Sequence, residues 1–154
     1  MLPMLFELTS TAYRPGAAIP AKFTCTGNDL SPPLAWGAPP AAAASLALIL
    51  DDPDAPGRVW THWLVWNLPT TARGLQEGTL PTTTGMVQGL NDFGKIGYGG
   101  PCPPPGHGVH RYFARLYALD CMLPIAAGAS RVELEAQLKG HMLASTELMG
   151  KFWR

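Results

Sequence analysis

The chain has 154 residues, 47% of them hydrophobic and 14% charged, which excludes intrinsic disorder and suffices for a core without metals or disulfides. Its 11 basic and 11 acidic residues cancel, so no cationic surplus exists to neutralise nucleic acid or an anionic membrane surface. No run approaches the roughly 18 apolar residues of a membrane-spanning helix, and no transmembrane segment is expected.

Residues 1–10 lack the cationic start of a signal peptide, and Pro3 and Glu7 interrupt their apolar stretch, so a cytoplasmic location is expected. The length fits a single domain, residues 1–154. The 17 Gly and 16 Pro are spread along the chain, cutting it into short segments that favour strands.

Short strands are expected at residues 6–10 and 21–26, each bounded by Pro or Gly. The apolar run at 45–50 ends in Asp51 and Asp52 and reads as a buried central strand. The next, 62–68, groups Trp63, Val65 and Leu68 against His62, Leu64 and Trp66, apolar on both faces. Residues 70–108 have almost no periodicity, and a loop that long in a compact domain is usually functional or folded on itself. A strand at 111–119 sets Arg111, Phe113, Arg115 and Tyr117 opposite Tyr112, Ala114, Leu116 and Ala118.

Ser130 followed by Glu133 is a capping-box pair that opens one helix. Val132, Leu134, Leu138 and Met142 are expected on its apolar face, with Gly140 weakening its end. A last strand follows at 146–152. Many short strands and one late helix predict a mainly β fold of two packed antiparallel sheets, with a C-terminal helix and long irregular loops.

Cys25, Cys102 and Cys121 are odd in number and widely spaced, so neither a disulfide framework nor a zinc pattern follows. Buried free thiols are the expectation, and Cys102, in a Gly/Pro loop, stays open as a reactive thiol.

Two segments concentrate chemistry. Asp51-Asp52-Pro53-Asp54-Ala55-Pro56 ends the buried strand, and Trp60 and His62 open the next. Carboxylates so close repel unless solvated or paired, and Asp-Pro sequences also make ordinary turns. Placed after a buried strand, they are expected to line a cleft. Gly97-Tyr98-Gly99-Gly100-Pro101-Cys102-Pro103-Pro104 leads to His110-Arg111-Tyr112. Its glycines permit close backbone approach, and successive N–H groups can cradle an anion. It is not a P-loop, because the Lys-Ser/Thr ending is missing. His110 and Tyr112 share one strand face.

Those two segments resemble the two signatures of the phosphatidylethanolamine-binding protein family. Thr24-Cys25-Thr26-Gly27, Ser31-Pro32-Pro33-Leu34, Gln88-Gly89-Leu90-Asn91-Asp92-Phe93-Gly94 and Leu116-Tyr117-Ala118-Leu119-Asp120 resemble its bacterial Raf-kinase-inhibitor-like (YbhB/YbcL-type) branch. The resemblance covers nearly the whole chain. It implies a β-sandwich with an anion pocket at the sheet rim, made of Asp52, Asp54, Trp60, His62, Gly97, Gly99, Pro101, His110 and Tyr112. It also implies a non-enzymatic protein without cofactor or metal, binding phosphate or a phospholipid headgroup, regulating a protein partner and pairing as a homodimer. In that pocket His62 and His110 would face the anion, oriented by Asp52 and Asp54. Two other classes stay open: a small lyase, cyclase or hydrolase using the Asp and His groups as acid and base, and a metal site on Asp52, Asp54, His62 and His110.

Overall fold

The computed structural model describes residues 5–154. In chain order it places strands β1 Leu34–Ala35, β2 Ser45–Asp52, β3 Trp60–Leu68, β4 Gly74–Leu75, β5 Val87–Gln88, β6 His110–Leu119 and β7 Met142–Phe152, with helix α1 at Arg131–Leu138. Five strands form an antiparallel sheet in the order β5-β3-β2-β6-β7, and β1 and β4 form a second, two-stranded sheet. The expected class, mainly β with two antiparallel sheets and a C-terminal helix, is the observed one.

β2 lies at the middle of the large sheet and is buried along its whole length. Its alternate residues therefore feed two cores. Leu46, Leu48 and Leu50 pack with Trp36, Trp63 and Leu116 on the face covered by the small sheet. Ala47 and Ile49 pack with Leu64, Trp66 and Leu134 on the face covered by α1. The two acids that end the strand part company by the same rule. Asp51 turns to the helix side, where Arg131 Nη1 lies 2.7 Å from its carboxylate and Arg115 Nη1 3.4 Å. Asp52 continues the face of Leu48 and Leu50.

One irregularity matters for function. The register between β2 and β3 runs Leu50↔Trp63 and then Asp51↔Thr61, leaving His62 without a partner of its own. Such a bulge re-aims the extra residue. Thr61 Oγ1 accepts from Arg131 on the helix side. His62 instead joins the side of Trp63 and packs edge-on against Tyr112, ring centroids 5.3 Å apart. Strict alternation would have put it with Leu64 and Trp66, beneath α1.

Other expectations shift. Of the strand expected at 6–10, only Thr9 bridges, to Ala35; residues 1–4 lie outside the described part. Residues 21–26 form no strand but a tight 3-10 turn at Ala21–Phe23, followed by the Thr24 hydroxyl donating back to Ala21 O. The Ser130 capping box forms as expected. The helix, however, stops at Leu138, because Lys139 is extended and Gly140 takes φ 83°. Met142 therefore starts β7 rather than extending the helix, and Val132 is 78% exposed, so only Leu134 and Leu138 carry the buried face. β7 begins four residues before the expected 146.

Two cysteines are not free. Cys25 and Cys102 form a disulfide across 77 residues, and Cys121 remains a free thiol. Odd number and wide spacing concealed a bond that the 3-10 turn and the glycine-rich loop create by meeting: Cys25 N–H donates to Pro101 O and Gly100 N–H to Asp29 Oδ1.

Candidate functional site

The end of β2, the start of β3 and the start of β6 converge with the proline-rich loop on a cavity of about 300 Å³. Asp52, Trp60, His62, His110 and Tyr112 line it, together with Ala55, Pro56, Phe93 and the Cys102–Pro104 stretch. Five of the nine residues expected from the sequence thus share one hollow, and the other four do not line it. Asp54 turns outward, where Arg111 grips it through both carboxylate oxygens at 2.9 Å. That contact, foremost a side-chain hydrogen bond, lowers the pKa of Asp54. Gly97, Gly99 and Pro101 stand behind the wall as scaffold.

Gly99 shows what the scaffold does. Its N–H donates to the His62 carbonyl, and its own carbonyl accepts from His62 Nδ1 at 2.6 Å. A Cβ at Gly99 would meet the Phe93 ring at 2.4 Å, so only glycine lets Phe93 lie over this segment. Gly97 takes φ 110°, a conformation that side chains disfavour, and its carbonyl accepts from Asn91 Nδ2. Asn91 Oδ1 accepts the Phe93 and Lys95 N–H groups, while Asp92 accepts the Thr61 N–H and pairs with Arg58 at 2.7 Å. The Asn91-Asp92-Phe93 segment is therefore bolted to β3, and Phe93 stacks edge-on with both Trp60 and His62.

The two histidines are held differently. His110 Nδ1 lies 2.6 Å from Asp52 Oδ2 with both groups buried. Asp52 Oδ1 meanwhile accepts the Asp54 N–H at 2.7 Å. The outer nitrogen of His110, Nε2, lies 2.7 Å from Nδ1 of His107, an exposed residue of the proline-rich loop. His62 has no carboxylate partner among the described residues. With Nδ1–H donated to a carbonyl, its Nε2 carries the lone pair when the ring is neutral. Burial lowers its pKa, so the neutral form is favoured. The expectation that carboxylates orient both rings holds for His110 alone, and neutral His62 offers the cavity an acceptor rather than a donor.

Two donors complete the lining. The Trp60 indole N–H and the Tyr112 hydroxyl are buried without a hydrogen-bond partner among the described residues. Burial first, then the nearby Asp52 carboxylate, by its charge and by its approach to the hydroxyl short of a formed hydrogen bond, holds the Tyr112 phenol far above its usual pKa, so it remains protonated. Unpaired buried donors are costly and rare, and both of these belong to residues that line the cavity.

Sequence reasoning missed His107, Phe93 and the cavity-facing prolines. His107 lies three residues before His110, a helical spacing in a Pro- and Gly-rich stretch that forms no helix. Only the turn in which His107 N–H donates to Pro104 O brings the rings together.

The class of protein that this fold and pocket define is confirmed by comparison. Residues 9–153 match the phosphatidylethanolamine-binding protein family, and the chain belongs to it. A UPF0098 protein of Methanothermobacter thermautotrophicus is 49% identical over 153 residues, covering 96% of this chain and 99% of that one. Among solved structures, Escherichia coli YbcL superposes with a TM-score of 0.90 at 32% identity, covering 97% and 98% of the two chains. A phosphatidylethanolamine-binding protein homologue from Chlamydia trachomatis, CT736, does so with 0.88 at 41%, covering 96% and 97%. The chain thus falls in the bacterial branch with YbcL.

Proposed function

We propose that the protein is a non-enzymatic binder of small anions, of the phosphate or phosphoethanolamine kind, through the Asp52–His110 pocket. The observation that carries this reading is the pair of unpartnered buried donors, Trp60 Nε1 and Tyr112 Oη, beside a histidine held by a carboxylate. A singly protonated phosphate suits such a lining: its oxygens accept from Trp60 and Tyr112, its own hydroxyl donates to neutral His62, and His110 donates as well once its Nε2 turns from His107 to the ligand. Asp52 disfavours a fully ionised ligand. Arg154, whose Nε donates to Pro103 O, adds a cation near the mouth.

Phosphate or phosphoethanolamine is expected to raise the melting temperature, by about 5–10 °C at roughly 100 times Kd. His62→Ala and Asp52→Ala should each shrink that shift. Equal stabilisation of the wild type and both variants would refute the pocket assignment.

The reading extends to a regulated protein partner, a kinase or hydrolase, met at the rim, where Phe93, Val59 and Val109 are exposed. It also extends to a homodimer, which light scattering on the purified chain tests. No described helix is long and apolar enough to cross a membrane. For location, the disulfide favours an oxidising compartment, where such bonds persist.

A second reading, acid–base catalysis, draws on the chain Asp52–His110–His107, which links the buried carboxylate to an exposed imidazole. A turnover screen with esters and phosphoesters, repeated on His110→Ala, tests it. Activity unchanged by the substitution would end it.

A further inference from the structure

Far from the pocket, at the opposite end of β6, three donor groups of different chemistry meet. Asp120 and Cys121 follow the strand, and His141 immediately precedes β7. The pocket lies at His110, ten residues away along an extended strand, which is roughly 30 Å. The carboxylate, the thiol and an imidazole nitrogen lie within 4.8 Å of one another. His141 Nδ1 is 2.7 Å from Asp120 Oδ1.

The backbone fixes these groups from several sides. Asp120 N–H donates to His141 O, and His141 N–H to Leu138 O. The Cys121 carbonyl accepts from the Ser45 hydroxyl at 2.6 Å. Gly140, at φ 83°, reverses the chain after α1 and delivers His141 to Asp120. The side chains of Asp120 and His141 are 44% and 47% exposed, so a solute reaches them directly.

We propose that Asp120, Cys121 and His141 form a three-donor site for a borderline divalent cation of the zinc class. Bonds of about 2.0–2.3 Å to such an ion place tetrahedral donors roughly 3.3–3.8 Å apart, so Asp120 and His141 must part by about 0.6 Å or more from their 2.7 Å contact while the cluster as a whole stays within its 4.8 Å span. One sulfur, one nitrogen and one oxygen favour Zn²⁺ or Co²⁺ over Mg²⁺ or Ca²⁺, which need oxygen cages. The fourth position faces solvent and holds water. Binding forms a metal–sulfur bond as the thiol proton leaves to solvent. In the metal-free chain His141 Nδ1–H donates to Asp120 Oδ1; on binding, that proton is lost to solvent and the neutral ring carries its proton on Nε2, which leaves Nδ1 as the ligand. Burial and the Asp120 charge raise the thiol pKa in the metal-free chain, and a cation reverses that balance.

Such an ion would clip together the two ends of the excursion that carries α1 from β6 to β7. It would therefore stabilise the helix-bearing face without touching the anion pocket.

The test is titration of the whole chain, purified without a histidine tag and kept free of reductant, with Co²⁺. Cys25 and Cys102 are joined, so any thiolate signal comes from Cys121. One equivalent is expected to bind with a sulfur-to-cobalt band in the near ultraviolet, which Zn²⁺ displaces. Cys121→Ser should abolish the band while keeping the wild-type circular dichroism. His141→Ala and Asp120→Asn should each weaken binding by more than the ~10–100-fold that loss of an outer-shell partner causes. Absence of the band, or equal binding by wild type and Cys121→Ser, would overturn the proposal. So would cobalt held without a thiolate band and lost in His110→Ala, which would place the ion in the pocket.

Discussion

Gly99 turns a backbone requirement into the shape of the pocket. With the Phe93 ring lying where a Cβ would project, Gly99→Ala must push Phe93 toward the cavity or pull the His62 carbonyl contacts apart. Phosphate stabilisation is expected to drop in this variant while the fold survives; an undiminished thermal shift would show that the ring has room elsewhere. His62 makes a separate prediction through its titration. Its pKa is lowered in the folded chain, with burial as the main cause, so below about 6.5, the ordinary imidazole value, the unfolded chain takes up a proton that the folded one refuses. Stability is thus fully present above that value and falls as the pH drops toward the folded pKa. Asp54 acts in the same direction at lower pH. Its pKa is depressed by Arg111, so its contribution is present above the unfolded carboxylate value and lost as the pH falls through the folded one. Urea denaturation at a series of pH values should show stability declining below 6.5, with a flatter slope in His62→Gln.

At the scale of elements, α1 depends on its start and on one ion pair. Ser130→Ala removes the hydroxyl that accepts the Glu133 N–H and should cost about 1 kcal/mol in urea unfolding. Arg131→Ala leaves the buried Asp51 with only the longer Arg115 contact and should cost about 1.5–3 kcal/mol. The strands that carry the site were legible in the sequence for a simple reason. β2 and β6 combine apolar runs or alternation with clear ends, and both follow those patterns. The side of the sheet on which His62 falls was not legible in the alternation of β3, because a bulge changes parity without any residue that announces it. The expected strand at 21–26 failed because alternation of apolar residues there serves a turn fixed by Thr24 and by hydrogen bonds to a loop over 70 residues later. Motif resemblance located Asp52, His62 and His110, yet it also brought in Asp54, which turns outward to Arg111, and the glycines, which brace the wall rather than line it.

For the molecule as a whole, the central sheet separates two undertakings. One face and end build the cavity, and the other anchors the helix through Asp51, Arg131 and the core around Trp66. Changes beneath α1 should therefore alter stability and leave anion binding nearly intact, and the Arg131→Ala variant measured in both assays checks this. The disulfide ties the pocket wall to the 3-10 turn, and the double variant Cys25→Ser/Cys102→Ser should lose about 2–4 kcal/mol of stability. That bond also makes a covalent ring of residues 25–102, which includes all of β1 to β5 and the exposed turns between them. A protease that nicks the chain once inside this circuit opens the ring without releasing a fragment. The cut protein should run as one band on a gel without reductant and fall into two pieces once dithiothreitol is added.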